Sequence, residues 1–171
     1  MVGEKVILRF ITKEDTDLVV RWRNNPRVRC KFVFQEPFTA EIHNHWLETR
    51  VKTGEVVQFI ILSKGDEKEI GSVYLKDIDY TQKIAEGGIF IGEDSVLGKG
   101  YGTEAMQLLV KYAFEKLKLN QVFVRVFVEN KASIAICEKA GFSLQNKKEV
   151  VCIDGIEKEL LFMERVKRDY R

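Results

Sequence analysis

Apolar positions along the chain switch between two spacings, and the switches mark the elements. Val6 to Ile11 is apolar except for Arg9, which predicts a first strand over 6–11. Thr12 then opens a helix: Asp15 stands three positions on, and Glu14 and Asp15 place negative charge in the first turn. Leu18, Val19 and Trp22 form the stripe of that helix. Pro26 ends it, because the residue before a proline avoids the helical region. Phe32-Val33-Phe34 is an apolar knot in a loop, and Thr39 caps a second helix carrying Ile42, Trp46 and Val51, closed by Gly54.

The run from Val56 to Leu62 is almost wholly apolar, as in a strand covered on both faces. After a charged turn at 64–68, residues 70–78 return as a strand. A turn at 80–83 leads into Ile84–Ile91, which ends at Gly92. Ala105, Leu108, Leu109, Tyr112 and Ala113 recur at helix spacing. Residues 121–128 form a β-branched and aromatic strand, and 132–140 a short helix stopped by Gly141. Two last strands, 142–153 and 156–166, flank the hairpin pair Asp154-Gly155. No repeat, low-complexity tract or linker interrupts this order. The reading is one α/β (α+β) domain over 1–171 with a mixed sheet.

The chemistry gathers between the strand at 84–91 and the helix behind it, in Val96-Leu97-Gly98-Lys99-Gly100-Tyr101-Gly102-Thr103-Glu104-Ala105. Glycine lets main chain approach a ligand without a β-carbon in the way. The first turn of a helix offers unpaired N–H groups and the positive end of its dipole. Together they suit a phosphate or pyrophosphate. A Walker loop is excluded, because Lys99 lies between glycines and no Gly-Lys-Ser/Thr occurs. A dinucleotide fingerprint fits poorly, since Gly98, Gly100 and Gly102 give G-x-G-x-G. A plain glycine turn joining strand to helix stays open as the alternative.

The loop resembles the pyrophosphate-binding motif of GNAT-superfamily N-acetyltransferases, Q/R-x-x-G-x-G/A, with Gly100 and Gly102 in the glycine positions and Leu97 in place of Gln or Arg. The run Asn130 to Phe142 is similar to the second signature of that family, N-x-x-[SA]…EK-x-GF. The resemblance implies a three-layer fold whose mostly antiparallel sheet is splayed between the fourth and fifth strands. It also implies acetyl-CoA as co-substrate and direct attack by a primary amine in a ternary complex. Gly98, Lys99, Gly100, Tyr101, Gly102 and Thr103 would then seat the diphosphate. Ile89, Phe90 and Ile91 would pair through main chain with the pantetheine arm. Asn130 and Ser133 would bond the arm, cap the next helix, or both.

A protonated alkyl amine profits from a base. Glu86 lies fourteen residues before Gly100, a spacing similar to the glutamate base of GNAT histone acetyltransferases, and burial there would raise its pKa. Its alternative is a structural carboxylate paired to Arg or Lys, and Glu129 is a second candidate. Cys137 holds the position where many family members place a tyrosine general acid. Three features look like the subgroup that acetylates the 4-amino group of UDP-linked amino-deoxysugars: W-R-N-x-P at Trp22–Pro26, the H-x-x-W pair of His43 and Trp46, and Gln58–Ile61. That likeness implies acceptor contacts from Trp22, Arg23, Asn24, His43, Trp46 and Tyr74, with Arg23 and Arg27 or Arg29 toward the diphosphate; the alternatives are a core Trp22 followed by a solvated cap, and a His43–Trp46 pair that packs in the core. Ribosomal-protein N-terminal, polyamine and aminoglycoside acetyltransferases are neighbouring subgroups. A non-catalytic acyl-CoA-binding module is the rival outside catalysis.

Composition changes little. At 171 residues with a net charge of +2, the chain lacks the basic excess of a nucleic-acid binder. No apolar stretch approaches the ~20 residues of a membrane helix, and the N-terminus has no signal-peptide core. Cys30, Cys137 and Cys152 are odd in number and scattered, which fits reduced thiols in the cytoplasm; no metal constellation is spelled out. The expected partner is a small-molecule amine, and the late edge strands leave a homodimer open.

Overall fold

The computed structural model describes residues 1–170. Seven strands form one sheet: β1 (Val6–Phe10), β2 (Val57–Ser63), β3 (Glu69–Asp79), β4 (Ile84–Ile91), β5 (Gln121–Phe127), β6 (Ser143–Ile153) and β7 (Ile156–Val166). Their order is β1-β2-β3-β4-β5-β7-β6, and every neighbouring pair is antiparallel except β4–β5. Helices α1 (Thr16–Asn24), α2 (Pro26–Arg29) and α3 (Ala40–Trp46) precede β2, whereas α4 (Tyr101–Glu115) and α5 (Lys131–Lys139) flank β5 in sequence.

Alternation along the strands sends side chains to two faces, and each face carries its own core. Ala85 on β4 packs with Leu109, Val110 and Ala113 of α4, Val122 and Val124 of β5, and Cys137 of α5. On the other face Phe90 and Ile60 pack with Val19 and Trp22 of α1 and Val28 of α2. The result is three layers, helix–sheet–helix, as the family resemblance implied.

The parallel pair is short. β4 and β5 are in register only at Ile84↔Gln121, Ala85↔Val122 and Glu86↔Phe123. Past that point β3 holds β4 as far as Ile91, and β7 holds β5 as far as Phe127, so the two strands part and a gap opens from Gly87 onward. The splay implied for the fourth and fifth strands is present.

Local chemistry moves three boundaries. Asn25 has ψ 122 and stops α1, but Pro26 then occupies the first turn of α2, with the Arg27 N–H donating to the Asn25 side chain. Proline ends one helix and starts the next, because its missing N–H is one that a first turn leaves unpaired anyway. Residues 13–15 form a tight 3-10 turn ahead of α1. The Thr12 N–H donates to the Asp15 carboxylate at 2.8 Å, and Arg9 grips the same carboxylate through two bonds of 2.8 and 2.7 Å. Finally, α4 begins at Tyr101, so Tyr101, Gly102 and Thr103 are already helical rather than loop. Among the described residues, no helix is long and apolar enough to cross a membrane.

Candidate active site

The glycine run has the backbone that a phosphate seat requires. Gly98 (φ +75) and Gly100 (φ +84) lie in the left-handed region, and the helix starts directly behind Gly100, so the N–H groups of its first turn have no partner inside the helix. The seat is anchored from below. Glu104, in the first turn of α4, accepts the main-chain N–H groups of Glu4, Lys5 and Val6 at 2.7, 2.8 and 2.7 Å. A Cβ on Gly3 would fall 2.7 Å from the Glu104 carboxyl carbon, so a side chain there would push the carboxylate off its three donors. Lys5 Nζ in turn donates to the Lys99 carbonyl at 3.2 Å. Lys5, Lys64 and Lys99 line a recess of about 380 Å³ with Tyr101 and Glu4.

Glu104→Ala strands three backbone donors. The expected loss is about 2 kcal/mol of stability, together with a roughly tenfold weaker affinity for CoA, equivalent to about 1.4 kcal/mol. Urea unfolding and calorimetry check the two parts. Unchanged CoA affinity would reduce Glu104 to a fastener of the N-terminal strand.

The gap between β4 and β5 exposes the main chain of Gly87–Ile91 on the β5 side. An unpaired strand edge seeks hydrogen bonds, and an extended amide-bearing ligand can supply them. Ile89, Phe90 and Ile91 all lie on this edge. At its end Arg27 donates to the Ile91 carbonyl at 2.9 Å. The turn leading to the glycines is stapled to the α1–α2 layer: Arg21 and the Trp22 indole N–H both reach Glu93 (2.6 and 2.7 Å), and Arg27 reaches Asp94 at 2.6 Å. Across the gap, Asn130 caps α5 by accepting the Ser133 N–H and donates to the Ser133 hydroxyl. The capping alternative is therefore in place, and it occupies both side chains with each other.

The catalytic candidates separate. Glu86 is nearly buried on the face below α1–α3, held by Arg125 through two bonds (3.2 and 3.0 Å) and approached by Lys76 at 3.3 Å. Arg125 also reaches Glu149 of β6 at 3.1 Å. The paired-carboxylate alternative thus describes its surroundings. Cys137 sits on the opposite face inside the α4–α5 core, and burial pushes its thiol up to about 12.

The acceptor candidates divide the same way. Trp22 is 1% exposed, edge-on to Phe90 and hydrogen-bonded to Glu93: a core residue. Asn24 exchanges two hydrogen bonds with the main chain of Phe38 and so holds the loop in place. His43 is buried, its Nδ1 3.2 Å from the Thr16 hydroxyl and its Nε2 without a partner. Trp46 donates to Gln58, which donates to Ser72. Arg23 is different. Its guanidinium lies 3.4 Å from the centre of the Phe32 ring and 4.6 Å from that of Phe38, donates to the Phe34 carbonyl at 3.5 Å, has no carboxylate partner among the described residues, leaves Nε unbonded, and is pulled down to about 10 by burial. Tyr74 faces the same space from β3.

An open strand edge leading to a glycine-opened helix fits an acyl-CoA, and the comparisons with known proteins agree. Residues 5–143 match the acetyltransferase (GNAT) domain. The chain belongs to the GNAT acetyltransferase family. It is 33% identical over 178 aligned residues to YdaF of Bacillus subtilis, a candidate ribosomal N-acetyltransferase, covering 99% of this chain and 95% of that protein. It is 31% identical to MJ1062 of Methanocaldococcus jannaschii over 85% of this chain, but spans only 30% of the length of that protein. Its fold superposes on the spermidine N-acetyltransferase of Vibrio cholerae, solved with CoA and spermine, with a TM-score of 0.87 at 22% identity, covering 98% and 99% of the two chains. As a GNAT acetyltransferase it takes acetyl-CoA as its acyl donor.

In this GNAT enzyme, two features of the candidate site escaped the pattern of residues: Glu104 as the anchor of the glycine loop, and the Glu93–Asp94 staple. Each joins residues about 70 to 100 positions apart, and no local spacing announces such a contact. His43, read as an acceptor residue, gives a test of its buried place instead. Burial lowers its pKa, so the folded protein keeps it neutral while the unfolded chain titrates near 6.5. Below that pH only the unfolded state takes the proton. Stability therefore falls as pH drops through about 6.5 toward the lower folded value, by at most about 1.4 kcal/mol per pH unit. Urea midpoints from about pH 7.5 to 5.5 should show this slope in the parent and a flatter one in His43→Leu; equal slopes would contradict it.

Proposed function

We propose that the acceptor is the primary amine of a small molecule that also carries negative charge, a UDP-linked 4-amino-deoxysugar being the example that fits best. One observation carries the reading: Arg23 is a largely desolvated cation against two aromatic rings, with a 3.5 Å bond to the Phe34 carbonyl and no carboxylate among the described residues to match it. Burying an unmatched charge is costly, and an anionic ligand group would repay it. Arg23 takes the diphosphate, while Trp46 and Tyr74 border the sugar. The amine attacks the thioester carbonyl directly, and a backbone N–H of the Ile89–Ile91 edge holds the developing oxyanion. Glu86 accepts the proton lost by the amine, directly or through water, while Arg125 and Lys76 fix its carboxylate. Cys137 takes no part. Its thiolate would be a stronger base than an ordinary thiolate, so giving up its proton to the departing CoA sulfur runs uphill.

The polyamine and ribosomal-protein alternatives rest on relatives. A polycation would meet Arg23, Lys76 and Arg125, and the carboxylate nearest them is already paired. Thiol release from acetyl-CoA across a UDP-4-amino-deoxysugar, spermidine, an aminoglycoside and a ribosomal N-terminal peptide tests the reading. Turnover is expected with the nucleotide sugar. Preference for spermidine or the peptide would overturn the acceptor assignment, and silence with every amine would favour an acyl-CoA-binding module.

A further inference from the structure

We propose that the Tyr74 hydroxyl is a catalytic hydrogen-bond donor to the acetyl oxygen as it becomes an oxyanion. The proposal rests on the acetyl-transfer reading and concerns a residue otherwise assigned only to the rim of the acceptor site. Tyr74 stands directly opposite Gly88 in the β3–β4 register. A Cβ on Gly88 would fall 2.3 Å from Tyr74 Cζ and 2.4 Å from its hydroxyl oxygen. The ring therefore lies flat across β4, in the space a side chain at position 88 would fill. Its tip meets the strand two residues past Glu86↔Phe123, the last point at which β5 still pairs with β4. The hydroxyl thus stands at the head of the gap, where a thioester laid along the open edge ends.

The hydrogen-bond inventory of this face points the same way. Trp46, Gln58 and Ser72 form a closed chain ending on the Phe59 carbonyl, and Glu86 is engaged by Arg125 and Lys76. The Tyr74 hydroxyl has no partner among the described residues, although desolvation is strong enough to push it up to about 12. The side chain is only half-buried, so the unpartnered hydroxyl is within reach of a ligand in the gap, and a phenol this reluctant to ionise stays a donor throughout the working pH range. Gly88 supplies the clearance, and the backbone N–H groups of the same edge supply the second donor.

The step balances without a proton on the move from Tyr74. The amine lone pair forms the C–N bond, and the carbonyl π pair moves onto oxygen, where Tyr74 and the strand N–H receive it. When that pair returns, the C–S bond breaks and its electrons leave on sulfur as CoA thiolate. The ammonium proton passes to Glu86 or water, and the phenol keeps its own.

Tyr74→Phe removes only the hydroxyl. Thiol release from acetyl-CoA is measured with the amine that the parent accepts, and with water alone as nucleophile. Loss of one preorganised oxyanion donor predicts a fall in kcat of about 100-fold with both nucleophiles, KM values within about twofold, and an unchanged melting temperature. Gly88→Ala, which drives the ring off the strand, should reproduce the kcat loss, with circular dichroism confirming the fold. An unaltered kcat in Tyr74→Phe, or a raised amine KM alone, overturns the proposal and leaves acetyl transfer standing. Absence of thiol release from the parent with every nucleophile would overturn both.

Discussion

Gly92→Ala is expected to destabilise the protein by about 3 kcal/mol, a drop in melting temperature of roughly 10 °C. A Cβ at position 92 would fall 2.2 Å from Trp22 Cγ and 2.3 Å from its two neighbouring ring atoms. Neither side can give way cheaply. The indole is 1% exposed, is pinned by its hydrogen bond to Glu93, and meets Phe90 edge-on. The Gly92 main chain is held by its N–H to the Ile70 carbonyl at 2.8 Å. A double-mutant cycle with Trp22→Val separates the clash from general strain: the smaller side chain should recover much of the loss. A melting shift below about 2 °C in the single variant would show that the ring is not fixed as described. The same contact bears on the candidate site, because Glu93 and Asp94 lead straight into the glycine loop.

Gly100→Val has its largest effect on cofactor affinity. At φ +84 a β-branched residue is a genuine outlier, costing about 1–3 kcal/mol, and its Cβ would also sit 3.2 Å from Lys5 Nζ. Gly100 is exposed, so the strain is relieved by rebuilding the loop rather than by unfolding the domain. Rebuilding turns away the N–H groups at the start of α4. CoA affinity should fall about 30-fold, equivalent to about 2 kcal/mol, with little change in melting temperature. Isothermal calorimetry decides it, and affinity within threefold of the parent would mean that the loop geometry is not what holds the diphosphate.

Sheet and helices were legible because their signals are local. The apolar run at 56–62, the turn pair at 154–155 and the 105–113 stripe each fall on the element they predicted. Pro26 shows how a local rule can be half complete: it pushes Asn25 out of the helical region and stops one helix, yet its own missing N–H costs nothing at the start of α2. In the site, Gly98 and Gly100 were legible because positive φ demands glycine. Trp22 and His43 were not separable from site residues by type, since an aromatic or imidazole ring looks the same in sequence whether it lines a pocket or fills a core. What parts Arg23 from Arg9 is the partner each has in space. Arg9 meets Asp15 at 2.7 Å, whereas Arg23 meets two rings and the Phe34 carbonyl but no carboxylate among the described residues.

The most direct measurement is a crystal structure grown with CoA. The diphosphate should lie within hydrogen-bond distance of the main-chain N–H groups of residues 98–103, with the pantetheine amides along Gly87–Ile91. Electron density placing the diphosphate away from the start of α4, or the pantetheine outside the β4–β5 gap, would contradict the account.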